Sequence, residues 1–431
     1  MPFRPTTIIH RTAAISVLAT LAACAATPQT VGPHESVVET LLSFSPSGHA
    51  EMDAWRSEFA SRAIADGFDR DLVFRTLDGI HPLSLYLGAN ASSSEVSNQA
   101  EFAKPIWDYV GSAVTTSRLQ TGAEKLVELE PVFANLESRY GVDRQALIAI
   151  WAMETNFGGY IGDFDAANTL ANMAVEGRRR QFAEGEIYAL MKMQQRGLAD
   201  RDELVSGWAG AMGQTQFMPS TYLAWAADYE GDGHIDVWKN PADALASAAN
   251  YLSASGYRFG EPWGIEVLAP AGFDWSLADG NDRRIDTWGS YGLSPITGGA
   301  FNASGGSYAE LWLPAGATGP KYLLLKNFDV FKTYNRSDSY AFAVGLLADG
   351  ALGRVGPVAA WPTHLERLTN GEISLMQEKL TQLGFDAGGV DGIAGRGTRA
   401  ALQKFQASRG LPADGYPTKD ALSAVLTAAG S

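Results

Sequence analysis

Residues 141–159, GVDRQALIAIWAMETNFGG, constrain the fold more than any other stretch of the chain. Apolar residues recur there at helical spacing, with Leu147, Ile150 and Trp151 at i, i+3 and i+4. The next position on that stripe, i+7, is Glu154, a carboxylate where a core residue belongs. The spacing predicts a helix carrying one acid on its packed face. Asp143 is placed to cap the N-terminus, and Gly158 with Gly159 to end the helix. Glu154 then falls near the C-terminal end, where the helix dipole disfavours negative charge. Partial burial acts the same way, so both effects are expected to raise its pKa toward the range of a general acid. A buried Glu paired with an Arg or a backbone donor fits the pattern equally, and the helix alone leaves both readings open.

At 431 residues the chain exceeds one ordinary domain, and two or three are expected. A hydrophobic fraction of 46% supplies packed cores, and no apolar run reaches the roughly 18 residues needed to span a membrane. Arg4 and Arg11 precede a short apolar segment, Ala13–Ala23, with the form of a signal peptide. Without those two arginines, 31 basic residues face 48 acidic ones, a net charge of −17. Phosphate binding needs a basic surface, so nucleic acid is excluded as an expected partner. Cys24 is the single cysteine, so disulfides play no part in the body of the protein. Eleven Trp and fifteen Tyr are ample for stacking on sugar rings, although most aromatics are core.

Composition and periodicity divide the chain into 1–23 (signal peptide), 24–50 (a Ser/Pro/Thr/Gly-rich tether), 51–350, a linker at 351–370, and a compact helical unit at 371–431. Candidate helices fall at 52–66, 101–118, 121–139, 143–155 and 178–195. Around 257–333 Gly-rich turns and β-prone runs such as Tyr322-Leu323-Leu324-Leu325 take over, and a last helix is expected from Ser337 to about Leu347. The fold class expected is mainly α (α+β).

Three further motifs bear chemistry. In Gly210-Ala211-Met212-Gly213-Gln214-Thr215-Gln216-Phe217-Met218-Pro219-Ser220, small residues allow close backbone approach, and the glutamines offer donors and acceptors to sugar hydroxyls and acetamides. A packed helix–loop junction reads the same way. In Asp228-Tyr229-Glu230-Gly231-Asp232-Gly233-His234, acids at positions 1, 3 and 5 with Gly at 6 open an EF-hand-like loop, but the twelfth position is Lys239, which rules out a standard EF-hand. An acidic turn capping the helix after Pro241 is the alternative. At the C-terminus, Asp391-Gly392 and Asp414-Gly415 separate three amphipathic segments with a core of Leu380, Leu383, Phe405 and Leu422.

Glu154-Thr155-x-x-Gly158 followed by GAMGQTQFMPS closely resembles the membrane-bound lytic murein transglycosylase B family. Tyr140-Gly141-Val142, Glu176-Gly177-Arg178-Arg179-Arg180, Ala249-Asn250-Tyr251 and Tyr334-Asn335-Arg336-Ser337-Asp338-Ser339-Tyr340 match it in the same order, over residues 52–360. The resemblance implies a lysozyme-like catalytic core with a helical flanking region and a small β insertion. It implies cleavage of the β-1,4 bond between N-acetylmuramic acid and N-acetylglucosamine, with Glu154 as sole acid and base and 1,6-anhydro ends as product. No cofactor is required for that chemistry. Gln216, Tyr334, Asn335 and Tyr340 match positions that line the cleft. The family closes its acidic loop with a later acid, which implies side-chain ligands Asp228, Glu230, Asp232 and Asp243 with the His234 carbonyl, around a structural Ca²⁺ or Na⁺. One departure stands out: the family commonly has Gly-Ser-Trp where this chain has Ser206-Gly207-Trp208, so the serine expected beside the acid is displaced.

The C-terminal unit resembles the small peptidoglycan-binding domain, a three-helix bundle that raises local concentration at the wall. Leu21-Ala22-Ala23-Cys24 resembles a bacterial lipobox, which implies lipidation of Cys24 and, with Ala25 following, a periplasm-facing anchor in the outer membrane; ordinary cleavage to a soluble periplasmic form is the alternative. Expected partners are glycan strands and cell-wall synthesis complexes, with the protein a monomer. The rival functions are a hydrolytic muramidase, which needs a second carboxylate roughly 5–10 Å from the first, a non-catalytic wall-binding scaffold, and a calcium-dependent structural protein.

Overall fold

The computed structural model describes residues 42–87, 105–354 and 356–430. The signal segment, the first part of the tether and Cys24 lie outside them.

The helix Arg144–Thr155 is the centre of one core, with Ala146 to Ala152 all buried. Asp338–Ala351 packs along it, contributing Tyr340, Ala341, Phe342, Val344 and Leu347 to the same cluster. A second core gathers Ala166–Glu176, Arg180–Gln195 and Ala50–Ala65 around Leu170, Ile187, Phe59 and Trp55. Tyr334 packs against both clusters.

Two expected helices are each broken in two. The segment 101–118 yields Ile106–Ala113, and a new helix, Thr116–Glu128, starts where the Thr115 hydroxyl accepts from the Arg118 amide. The segment 121–139 breaks at Leu129, because Pro131 lacks an amide and belongs in a first turn; Glu130–Tyr140 restarts there. Arg70–Leu77, capped by Asp69, is a short helix that periodicity missed.

The β insertion is a five-stranded antiparallel sheet in the order Arg283–Arg284, Tyr308–Trp312, Tyr322–Leu324, Gly264–Leu268, Ser294–Pro295. Leu323 faces Ile265 on one side and Leu311 on the other, and these residues sit in a separate core with Trp288. The C-terminal helices Asn370–Gln382, Arg396–Ser408 and Lys419–Ala429 enclose Met376, Leu380, Phe405 and Leu422, while Leu383 is only partly buried.

Candidate active site

Glu154 lies one residue before the end of its helix and is half-buried. The termini are built differently from the expectation. The Asp143 carboxylate does not cap; its Oδ2 accepts from the Tyr257 hydroxyl (3.0 Å) and the Gly260 amide (2.9 Å), tying the helix start to the approach to the sheet. Burial pushes the Asp143 carboxyl above its ordinary pKa, against the pull of those two donors. At the other end Asn156, not a glycine, takes the left-handed cap position (φ 51°), and Phe157 (63°) and Gly158 (77°) continue in that region. Two non-glycine residues held there, Asn156 and Phe157, store local strain two and three positions after the acid.

The clamp that imposes this turn is Gln214. Its Oε1 accepts from Trp151 Nε1 (2.9 Å), its Nε2 donates to the Trp238 carbonyl (3.2 Å), and its own carbonyl accepts from Thr155 Oγ1 (2.6 Å). A Cβ on Gly158 would lie 2.5 Å from Gln214 Oε1, so glycine is required for that close approach. Gln214 is thus buried packing, which fits the reading of this motif as a packed helix–loop junction.

Gln216 adopts φ 50° and donates through Nε2 to the Gly213 carbonyl (2.9 Å) and the Ile161 carbonyl (3.4 Å). Its Oε1 faces Gly207, where a Cβ would come within 3.0 Å. Ser206 is fully buried in a short strand, and its hydroxyl is directed at the carbonyls of Gly207 (3.1 Å) and Phe164 (3.4 Å). The displaced serine therefore serves the backbone.

Tyr340 donates its hydroxyl proton to Glu154 Oε1. Burial first, then the neighbouring carboxylate charge, pushes the phenol well above its ordinary pKa, so it stays a proton donor. The Ser337 hydroxyl accepts from the Tyr340 amide, and Asn335 Oδ1 accepts from the Ser337 amide (3.0 Å), which fixes the start of the Tyr340 helix. The Tyr334 hydroxyl is sealed from solvent and has no hydrogen-bond partner. Burial, followed by the charge of Glu154, raises its pKa also. Its ring meets Tyr251 at 5.4 Å and Phe217 at 6.1 Å. Tyr251, present in a family-like motif but given no role from sequence, supports Tyr334 and Phe217 through these ring contacts. Glu154, Tyr340 and Tyr334 thus gather at one point, with Asn335 ordering the helix start beside them.

In the acidic loop, carboxylate oxygens of Asp228, Glu230 and Asp243 lie within 4.8 Å of one another. Asp243 is buried in the first turn of Pro241–Ala254 and accepts from the amides of Tyr229 and Asp236. Asp232 and His234, by contrast, bond to each other, the His234 amide donating to Asp232 Oδ1 (2.8 Å). Asn240 caps the helix and also donates to Glu230 (3.0 Å). Three crowded carboxylates, one of them buried, call for positive charge, and the all-oxygen donor set suits a hard cation.

Residues 51–349 match the transglycosylase SLT domain, and residues 369–425 match a peptidoglycan binding domain. The chain is 33% identical over 254 residues to membrane-bound lytic murein transglycosylase B of Escherichia coli K12, a match covering 56% of this chain and 66% of that protein, just short of two thirds of its length. SltB3 of Pseudomonas aeruginosa, solved in complex with NAG-anhNAM-pentapeptide, superposes with a TM-score of 0.80 at 40% identity, over 87% of this chain and 99% of that one. Slt35 of E. coli, solved in complex with calcium, gives a TM-score of 0.57 at 29% identity, over 70% of this chain and 94% of that one. The chain is a member of the transglycosylase SLT domain family and carries a C-terminal peptidoglycan binding domain.

Proposed function

We propose that this chain is a lytic transglycosylase that cleaves the β-1,4 bond between N-acetylmuramic acid and N-acetylglucosamine in peptidoglycan and leaves 1,6-anhydromuramic ends. The observation that carries this reading is the pairing of Glu154 with the buried Tyr340 hydroxyl, beside a Tyr334 hydroxyl that is buried and unpartnered.

Glu154, protonated, gives its proton to the glycosidic oxygen as the C1–O4 bond breaks. As a carboxylate it then takes the proton of the muramoyl C6 hydroxyl, whose oxygen closes on C1. Atoms balance without water, and no protein nucleophile is required, unlike the two-carboxylate glycosidases. Tyr340 orients the carboxylate and supports its charged form between the two proton transfers. A polar group left unbonded in a buried site costs free energy, and the sealed Tyr334 hydroxyl, close enough to feel the charge of Glu154, is suited to support that carboxylate. Gln216 and Asn335, by their match to the family motifs, would serve as orienting amides. Neutral donors suit a transition state of oxocarbenium character, since they orient without adding a fixed countercharge.

Asp228, Glu230 and Asp243 would hold a Ca²⁺ or Na⁺ whose part is structural, away from the chemistry. Cys24 is proposed as a lipid anchor; among the described residues no helix is long and apolar enough to cross a membrane.

The test is digestion of purified sacculi in ¹⁸O-water with mass spectrometry of the products. Transglycosylation yields anhydro ends without ¹⁸O, whereas reducing ends carrying one ¹⁸O identify a muramidase and overturn the reading.

A further inference from the structure

The C-terminal domain contains one device twice. In its first helix Gln377 donates through Nε2 to Asp391 Oδ1 (2.8 Å), while its Oε1 accepts from the Gly392 amide (3.0 Å). In its second helix Gln406 donates through Nε2 to Asp414 Oδ1 (3.1 Å), while its Oε1 accepts from the Gly415 amide (2.8 Å). Each Oδ1 also accepts from the amide two residues on, Ile393 (2.9 Å) and Tyr416 (3.0 Å). Both glycines are left-handed, at φ 72° and 64°. A Cβ on either would strike the carbonyl at the same place relative to its glutamine, Asn370 (2.9 Å) or Arg399 (2.6 Å). Two Asp-Gly turns are therefore held alike, with the second carboxylate oxygen left outside each clamp.

The turns differ in what that oxygen meets. Asp414 Oδ2 accepts from the Ala317 amide (2.9 Å), in the small-residue run Ala315-Gly316-Ala317. Glycine at 316 lets this run lie close, since a Cβ there would sit 2.9 Å from both Asp414 Oδ2 and Tyr416 Cβ. The second turn thus grips the backbone of a small-residue peptide belonging to the chain itself. The first turn is open: Asp391 is exposed, and beside it Val390 is 57% and Ile393 64% exposed.

We propose that the Asp391-Gly392 turn, flanked by Val390 and Ile393, is the site where this domain takes the peptide stem of peptidoglycan, through the carboxylate-to-amide contact that Asp414 makes with Ala317. The proposal rests on the peptidoglycan reading above. A peptide stem offers backbone N–H groups to the carboxylate, a charge-assisted bond, and small side chains to the exposed apolar pair. Asp391→Asn keeps the Oδ1 bonds to Gln377 and Ile393 but turns the outer acceptor into a donor.

The test uses the full chain carrying Glu154→Gln, so that the wall is not consumed. Binding is measured to intact sacculi and to sacculi stripped of stems by an amidase. The parent is expected to bind stripped sacculi about tenfold more weakly than intact ones, a difference of about 1.4 kcal/mol. Asp391→Asn should lose that difference, and so should Ile393→Ser, an exposed position that leaves the clamp untouched and serves if the first variant melts early. Equal binding of the parent to both sacculi, or intact-sacculus binding by both folded variants equal to the parent's, overturns the proposal. Failure of the transglycosylase reading shows separately, as absence of 1,6-anhydro product from soluble muropeptides cut by the unmutated chain.

Discussion

Tyr340→Phe isolates what the phenol does for Glu154. Losing a donor that favours the carboxylate raises the pKa of the acid, so the alkaline limb of kcat/KM should move to higher pH while the maximal rate falls by about 10- to 100-fold. Because the phenol itself titrates far above neutrality, the wild-type profile should show no Tyr340 limb below pH 10. An unmoved alkaline limb contradicts the proposed pairing. Gly207→Ser, which puts the family serine back in its usual place, crowds Gln216 Oε1 from 3.0 Å and should raise KM several-fold; in a Gln216→Ala background the effect should vanish. At this scale the acid was legible, because a single carboxylate interrupts an apolar stripe. Gln214 was not, because an amide names no partner: Trp151 and Trp238 reach it only through tertiary folding. Asp143 misled for a related reason, since a residue suited to capping was drawn to Tyr257 and Gly260 instead.

Among the elements, the helix Arg144–Thr155 and the loop at 210–220 behave as one unit joined by Gln214. Gln214→Leu leaves the Trp151 indole N–H unbonded in a buried place and should cost about 2–3 kcal/mol in denaturant unfolding. In the C-terminal domain Glu372 bonds Lys419, Thr369 closing a capping box on the other side. Chiefly through Lys419, the Glu372 carboxyl is pulled down to about 2 from an ordinary value near 4.5. Depression of a carboxylate means a stabilising contribution that is present above pH 4.5 and is lost as pH falls toward about 2. Calorimetry should therefore find Glu372→Gln lower-melting at pH 7 and equal to wild type at pH 2. Long helices with a sustained stripe were read correctly in type; their breaks at Leu129 and Val114 were not, because one proline and one threonine cap outweigh periodicity only locally.

For the molecule as a whole, the two helical cores meet at Tyr334, and the C-terminal domain touches the region 51–349 through Asp414 and Gln403. The acidic loop belongs to this scale, since Asp243 joins it to the helix Pro241–Ala254 in the body of the catalytic region. Calcium should raise the melting temperature of the full chain by several degrees, and Asp243→Asn should abolish the rise; no change in wild type removes the site. The sequence motifs singled out Glu154 and Tyr340 separately, whereas their meeting across 186 residues depends on one helix packing along another. In the proposed reaction Glu154 is the only acid and base. Its most direct test is muropeptide release from purified sacculi by wild type and Glu154→Gln side by side, with folding matched by melting temperature. A fall of about 10³-fold or more in 1,6-anhydro products is predicted. Release by Glu154→Gln at the wild-type rate would contradict the account.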